Sequence, residues 1–157
     1  MWLKERKREE ETRKQEEDPE QVAADEAAAA KYDHIADAAD NGDLPAVRGH
    51  LRRDESCLDP LFEGSAALHW AASRDHPAIV AFLVAKGAAV DVLSGDGLGR
   101  RSTPLHGAAA GGRAECAQLL LAAKASVEIK DRDGKTPLDL AREEDETEMV
   151  SLLMGKA

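Results

Sequence analysis

Aromatic residues are nearly missing from this chain of 157 residues: Phe, Trp and Tyr together make up 3%. A core without large rings must be filled from the other hydrophobic residues, which bring the apolar total to 43%. Ala, Leu, Val and Ile in that proportion suit helices in close approach better than a sandwich of sheets. Cysteine is scarce too. Cys57 and Cys116 lie far apart and match no metal-ligand spacing, so a reduced, intracellular chain is expected rather than a disulfide scaffold. Positive charge is in the minority, 21 basic against 31 acidic residues, a formal charge of -10. Such a surface repels phosphate backbones and anionic headgroups, so neither nucleic acid nor a membrane is an expected partner. No stretch approaches the ~20 apolar residues of a membrane span. The opening Met1-Trp2-Leu3-Lys4-Glu5-Arg6 is too charged for a secretory signal, and the expected setting is the cytoplasm or the nucleus.

What is present divides in two. Residues 1–31 hold 7 basic and 10 acidic residues and almost nothing apolar after Trp2 and Leu3, so they are expected to contribute no core. Glu9 and Glu10 stand three or four residues from Arg6, Arg13 and Lys14, and Ala27 to Ala30 favour helix. The segment reads as a charged arm, either flexible or a solvated helix, frayed or interrupted at Pro19, that binds a partner or a coiled-coil mate.

From Tyr32 onward the chain repeats itself. Leu68-His69-Trp70-Ala71-Ala72, Leu105-His106-Gly107-Ala108-Ala109 and Leu138-Asp139-Leu140-Ala141-Arg142 are one element, spaced 37 and then 33 residues apart. Thirty-three residues before Leu68 stands Ile35, followed by Ala38-Ala39, which opens a fourth and more divergent copy. Eleven residues after each leading apolar residue come Ala46, Ile79, Cys116 and Met149. Each unit reads as helix, tight turn, helix, loop. Thr103-Pro104 and Thr136-Pro137 place a hydroxyl at the N-cap and proline at the first helical position, and Asp33 can cap the first unit. Gly42 and Gly112 fall at the turn. No unit can bury its apolar face alone, so the units must stack into a solenoid.

The sequence Thr103-Pro104-Leu105-His106, in this 33-residue frame, resembles the signature of the ankyrin-repeat family. The resemblance covers 32–157 and implies an all-α ankyrin-repeat α-solenoid of about four helix-turn-helix units, 32–60, 61–93, 94–130 and 131–157, linked by β-turn or hairpin loops. Departures are Ala66-Ala67 in place of Thr-Pro, and Glu55 and Lys124 where the family places the helix-ending glycine seen here as Gly87. Each lost cap or left-handed non-glycine residue costs about 1 kcal/mol. The last unit looks like a cap, because its outer positions Arg142, Glu143 and Glu144 are charged.

The resemblance also implies function. Members of this family bind proteins through loop tips and a concave face of first helices. Carried onto this chain, those positions are Asp40, Asn41, Ser73, Arg74, Ala110, Gly111, Glu143 and Glu144 on the helices, with Phe62, Arg132 and Lys135 at loop tips. The extra four residues of the 37-residue spacing fall in Ser94 to Ser102, where Leu98, Arg100 and Arg101 stand ready to grip an acidic or mixed partner, unless the loop is a tolerated insertion. Phe62 is either an anchor or folded back on its neighbour. Trp70, whose counterpart in the next unit is Gly107, favours a knob-and-gap packing role over an interface role.

Catalytic and metal chemistry find little footing. No two histidines have the i, i+4 spacing of a zinc helix, and the family places His69 and His106 where an imidazole ties the loops of adjacent repeats. Gly134-Lys135-Thr136 resembles the end of a phosphate loop, but Ile129 stands where its first glycine belongs. Asp131-x-Asp133-Gly134 lacks the outer ligands of a calcium loop. Cys116 sits on an apolar stripe without an activating base. The expectation is a protein-protein interaction module, an adaptor or regulatory subunit, monomeric alone, with no cofactor and no metal. The alternative is a structural subunit of a larger stable assembly. An enzyme on an ankyrin framework has the least support, since little chain is left for a second domain.

Overall fold

The computed structural model describes residues 18–58, 66–95 and 101–155. Among the described residues are nine α-helices, one short 3-10 turn at Glu55–Leu58 and no strand. The helices are α1 (Pro19–Ala29), α2 (Ile35–Asp40), α3 (Leu44–Arg53), α4 (Ala67–Ser73), α5 (Pro77–Ala85), α6 (Pro104–Ala110), α7 (Ala114–Ala122), α8 (Pro137–Glu143) and α9 (Thr147–Met154). Pairs α2/α3, α4/α5, α6/α7 and α8/α9 are the four repeats. Helices α2, α4, α6 and α8 stack as one row, and α3, α5, α7 and α9 as a second, making an all-α solenoid.

The same turn joins every pair. Gly42, Asp75, Gly112 and Asp145 hold φ of 75°, 65°, 64° and 57°. The residue after each donates its N–H to the carbonyl five residues back: Asp43 to Ala38, His76 to Ala71, Arg113 to Ala108 and Glu146 to Ala141, at 2.8 to 2.9 Å. A left-handed residue lets the chain reverse within one turn while satisfying an end carbonyl, and Asp tolerates that conformation better than bulkier residues. Gly87 and Lys124 (φ 94° and 70°) end α5 and α7 similarly. Glu55 does not; it opens the 3-10 turn instead, where Asp54 Oδ1 accepts from Ser56 N–H at 2.9 Å.

The core follows the repeat. Ala38, Ala39, Ala71, Ala72, Ala108 and Ala109 have no exposed surface, which lets the first helices approach closely, and Ala46, Ile79, Cys116 and Met149 are buried in register beneath them. Leu68, Leu83, Leu105, Leu120 and Leu153 complete the stack, each worth roughly 1.5–3 kcal/mol on burial.

Two caps differ from expectation. Asp33 lies one residue outside α2, whose N-cap is His34, and the His34 side chain does not cap the helix. Thr103 does not cap α6 through its hydroxyl, which lies 2.8 Å from His106 Nδ1 instead. Thr136 caps as expected, accepting from Asp139 N–H at 3.3 Å.

The charged N-terminal segment needs a larger correction. Its residues 19–29 form α1, which lies against α3 and adds Ala28 and Ala29 to the buried set. Asp25 is fully buried between Arg48 and Arg52, with Arg48 Nε and Nη2 both donating at 2.9 Å and Arg52 Nη1 also donating. A segment almost without large apolar residues thus joins the fold through a paired charge.

Candidate binding surface

Each first helix is so short that its stacked face uses most of it, leaving one side outward at the same places in every repeat. These sets are Asp37, Asp40 and Asn41; Trp70, Ser73 and Arg74; Gly107, Ala110 and Gly111; and Leu140, Glu143 and Glu144. Asp40, Asn41, Ser73, Arg74, Glu143 and Glu144 stand at equivalent places, the C-terminal ends of α2, α4 and α8. The structure also couples positions that spacing alone keeps separate. Arg74 Nε donates to Asp40 Oδ1 at 2.6 Å, bridging repeats one and two. Lys135 Nζ donates to Glu143 Oε2 at 2.7 Å, and this bond, against some loss of solvation, holds the ammonium above its ordinary range. Asn41 Nδ2 donates to the Asp37 carbonyl at 2.8 Å.

Near the middle of the row lies an open cleft of about 300 Å³ lined by His69, Trp70, Ser73 and Arg74. Gly107 stands beside it because a Cβ there would run into the Ser73 hydroxyl. Trp70 is half-buried and packs on the core, yet it also lines the cleft, and the atoms nearest the bare Gly107 are those of Ser73, not of the Trp70 ring. Its indole N–H is buried with no hydrogen-bond partner.

Histidines hold the loops beneath this surface. Nδ1 of His69 accepts from Ala66 N–H at 3.2 Å, which leaves the proton on Nε2 to donate to the Ser102 carbonyl at 2.9 Å. His106 repeats the arrangement, with Nδ1 accepting from Thr103 N–H at 3.1 Å and Nε2 donating to the Lys135 carbonyl at 3.0 Å. Burial pushes both imidazoles below their ordinary range, against bonds that pull the other way, so both act as neutral rings. His76 Nε2 donates to the Asp40 carbonyl at 3.0 Å. In the last repeat the tie is absent: Asp139 takes the histidine position and accepts from its own cap, Thr136, at 2.9 Å.

The enlarged loop is clasped at its base. Ser94 N–H donates to the Ser102 carbonyl at 2.9 Å, and Ser102 N–H to Ser94 Oγ at 3.0 Å. Arg101 is exposed next to this clasp with φ 51°. Arg132 is exposed on the tight loop that Asp131 Oδ1 organises by accepting from Asp133 and Lys135 N–H, both at 2.9 Å. Phe62, Leu98 and Arg100 lie outside the described residues.

The second-row cysteine is not activated. Cys116 is fully buried, with its thiol 3.8 Å from Asp75 Oδ1. Burial and that carboxylate push the thiol up to about 12, so it stays protonated and is a poor nucleophile. Among the described residues no cluster of three or more His, Cys, Asp or Glu is placed to hold a metal ion. No described helix is long and apolar enough to cross a membrane.

The sequence matches the family described as ankyrin repeats in three copies, over residues 35–131 and, in an overlapping match, 89–157. Among curated relatives, it is 41% identical over 90 residues to the E3 ubiquitin-protein ligase Ufd4 of Drosophila melanogaster, covering 57% of this chain and 3% of that protein. It is 33% identical over 100 residues to palmitoyltransferase Hip14 of the same organism, covering 64% and 15%. It is 38% identical over 93 residues to the human ankyrin repeat and SOCS box protein 16, covering 59% and 20%. The chain thus spans a fifth or less of the length of these relatives.

Proposed function

The chain belongs to the ankyrin-repeat family, and on that premise we propose that it is an adaptor or regulatory module that holds a partner protein against its first-helix row, the concave face, and the adjoining loop tips. The observation that carries this reading is the division between the rows. The large aliphatic side chains that stack the repeats sit mostly on second helices, whereas the outward positions of the first helices are chemically varied and need not match for the stack to form. A partner docking there meets acidic groups at Asp40, Glu143 and Glu144, a guanidinium at Arg74, and the Trp70 cleft beside the bare Gly107. A half-buried indole already fixed by packing loses little freedom on binding, which favours it as an anchor. The reading is binding without catalysis, supported by the buried, protonated Cys116 and the neutral, loop-tying histidines.

Two double variants test this by quantitative capture from native extract. Ser73→Arg with Ala110→Arg alters the concave row, and Ala81→Arg with Gln118→Arg alters exposed positions of the second row. Partners lost with the first pair and kept with the second support the proposal. Partners kept with the first pair, or lost only with the second, contradict it.

A further inference from the structure

Helix α1 occupies the place on α3 where a second helix of a preceding repeat would stack, but it is fastened differently from every repeat helix. Its buried residues are Asp25, Ala28 and Ala29, so almost no aliphatic surface holds it. The fastening is polar. Asp25 accepts from Arg48 and Arg52, one turn apart on α3, and from Gln21 Nε2 at 2.9 Å. Arg53 Nη2 donates to the Glu26 carbonyl at 2.9 Å. Burial alone would raise the Asp25 carboxyl; the guanidinium bonds outweigh it and hold the group below the ordinary carboxylate range, so the latch stays charged through neutral and mildly acid pH.

The shape of α3 is fitted to that helix. At Gly49 a Cβ would run into the Asp25 carbonyl and stand 2.8 Å from the Ala29 Cβ. Glycine inside a helix costs up to about 1 kcal/mol in intrinsic stability, and here it opens a notch for a helix lined with small residues. Three arginines around that notch form a basic patch on a chain whose formal charge is -10. Notch and patch together specify a ligand: a helix presenting one carboxylate with alanine a turn away. The linker from α1 to the repeats, residues 30–34, is only five residues, so α1 competes for the site at high local concentration. An isolated helix of 11 residues is marginal, however, and a helix held by polar bonds and the methyls of two alanines opens before a stack of leucines does.

We propose that the α3 face built from Arg48, Gly49, Arg52 and Arg53 is a binding site for an acidic, small-residue helix, filled here by α1 and passed to such a helix of another protein when α1 is displaced. This site is separate from the concave row and does not depend on what binds there.

The probe is a fluorescent peptide of residues 18–31, titrated into the intact chain and followed by anisotropy. Ala29→Arg forces a long cation against the Gly49 notch and removes α1 from competition. The peptide binds this variant at least ~100-fold more tightly than wild type. Adding Gly49→Ala removes that binding, and an Asp25→Ala peptide binds roughly tenfold or more weakly. The proposal is overturned if the peptide fails to bind an Ala29→Arg variant whose repeats still unfold cooperatively in urea, or binds equally with the notch filled or the carboxylate absent. Should Ala29→Arg not fold, Asp25→Ala in the intact chain takes its place with the same expected gain. Failure of both to fold overturns the proposal as well, since α1 would then be inseparable from the array.

Discussion

The two rows of helices share one repeat and divide its work. First helices run six or seven residues and bury mainly alanine, with Ile35, Leu68 and Leu105 as their large contributions. Second helices run eight to ten residues and bury Val47, Leu51, Ile79, Val80, Leu83, Leu120, Met149 and Leu153. Small residues set the distance between first helices; large ones supply the free energy that holds the stack. The outward positions of the first row are consequently free to differ, and they do, from Asp40 to Ser73 to Ala110 to Glu143.

The largest expected effects should fall in the second row. Leu120→Ala leaves a cavity with no neighbour free to fill it and is expected to cost about 2–5 kcal/mol in urea unfolding. Ala110→Arg, on the outward side of the first row, should stay within about 0.5 kcal/mol. Comparable losses at both would erase the distinction between the rows.

His106→Ala comes next, because it strands the buried Thr103 N–H and the Lys135 carbonyl. A loss of about 2–3 kcal/mol is expected. The same rings give a pH signature. His50, His69 and His106 are all held below their ordinary value of 6.5, chiefly by burial. Between those lowered values and 6.5 the unfolded chain binds protons that the folded chain does not. The stability they contribute is complete above that range and declines as pH falls through 6.5. A urea series from pH 8 to pH 5 should show this decline, and a flat series would contradict the buried neutral assignment.

Trp70→Ala tests where the rows meet. A half-buried ring should cost about 1–2 kcal/mol, less than a full core truncation. Loss of partner binding at unchanged stability would instead make Trp70 purely a contact residue. The smallest effect is a gain. Lys124 carries φ 70° at the end of α7, where α5 uses Gly87, so Lys124→Gly should raise stability by about 1 kcal/mol or less.

The rows themselves were legible in the sequence, because stacking imposes a strict register: alanine pairs, the leading Leu, the apolar residue eleven later, and the loop-tying His69 and His106. Less visible were contacts made between segments. Arg74 reaches Asp40 across 34 positions and Lys135 reaches Glu143 along the length of α8, and neither pair has a local pattern. The docking of α1 was hidden for a related reason. Its face is alanine and one aspartate, without the apolar stripe that marks a buried helix, and the partners of Asp25 stand 23 and 27 residues away. In retrospect the signal was Gly49, a glycine inside an otherwise well-formed helix beside Arg48, Arg52 and Arg53. The Asp33 cap was misplaced by one residue because Tyr32, Asp33 and His34 offer no proline to fix the start of α2.

The most direct test of the account is hydrogen exchange of the intact chain with and without a captured partner. If the first-helix row is the binding surface, the partner slows exchange in Ala67–Ser73, Pro104–Ala110 and the 131–135 loop and leaves α5 and α7 unchanged. Protection confined to α5 and α7 would contradict the assignment of binding to the first row.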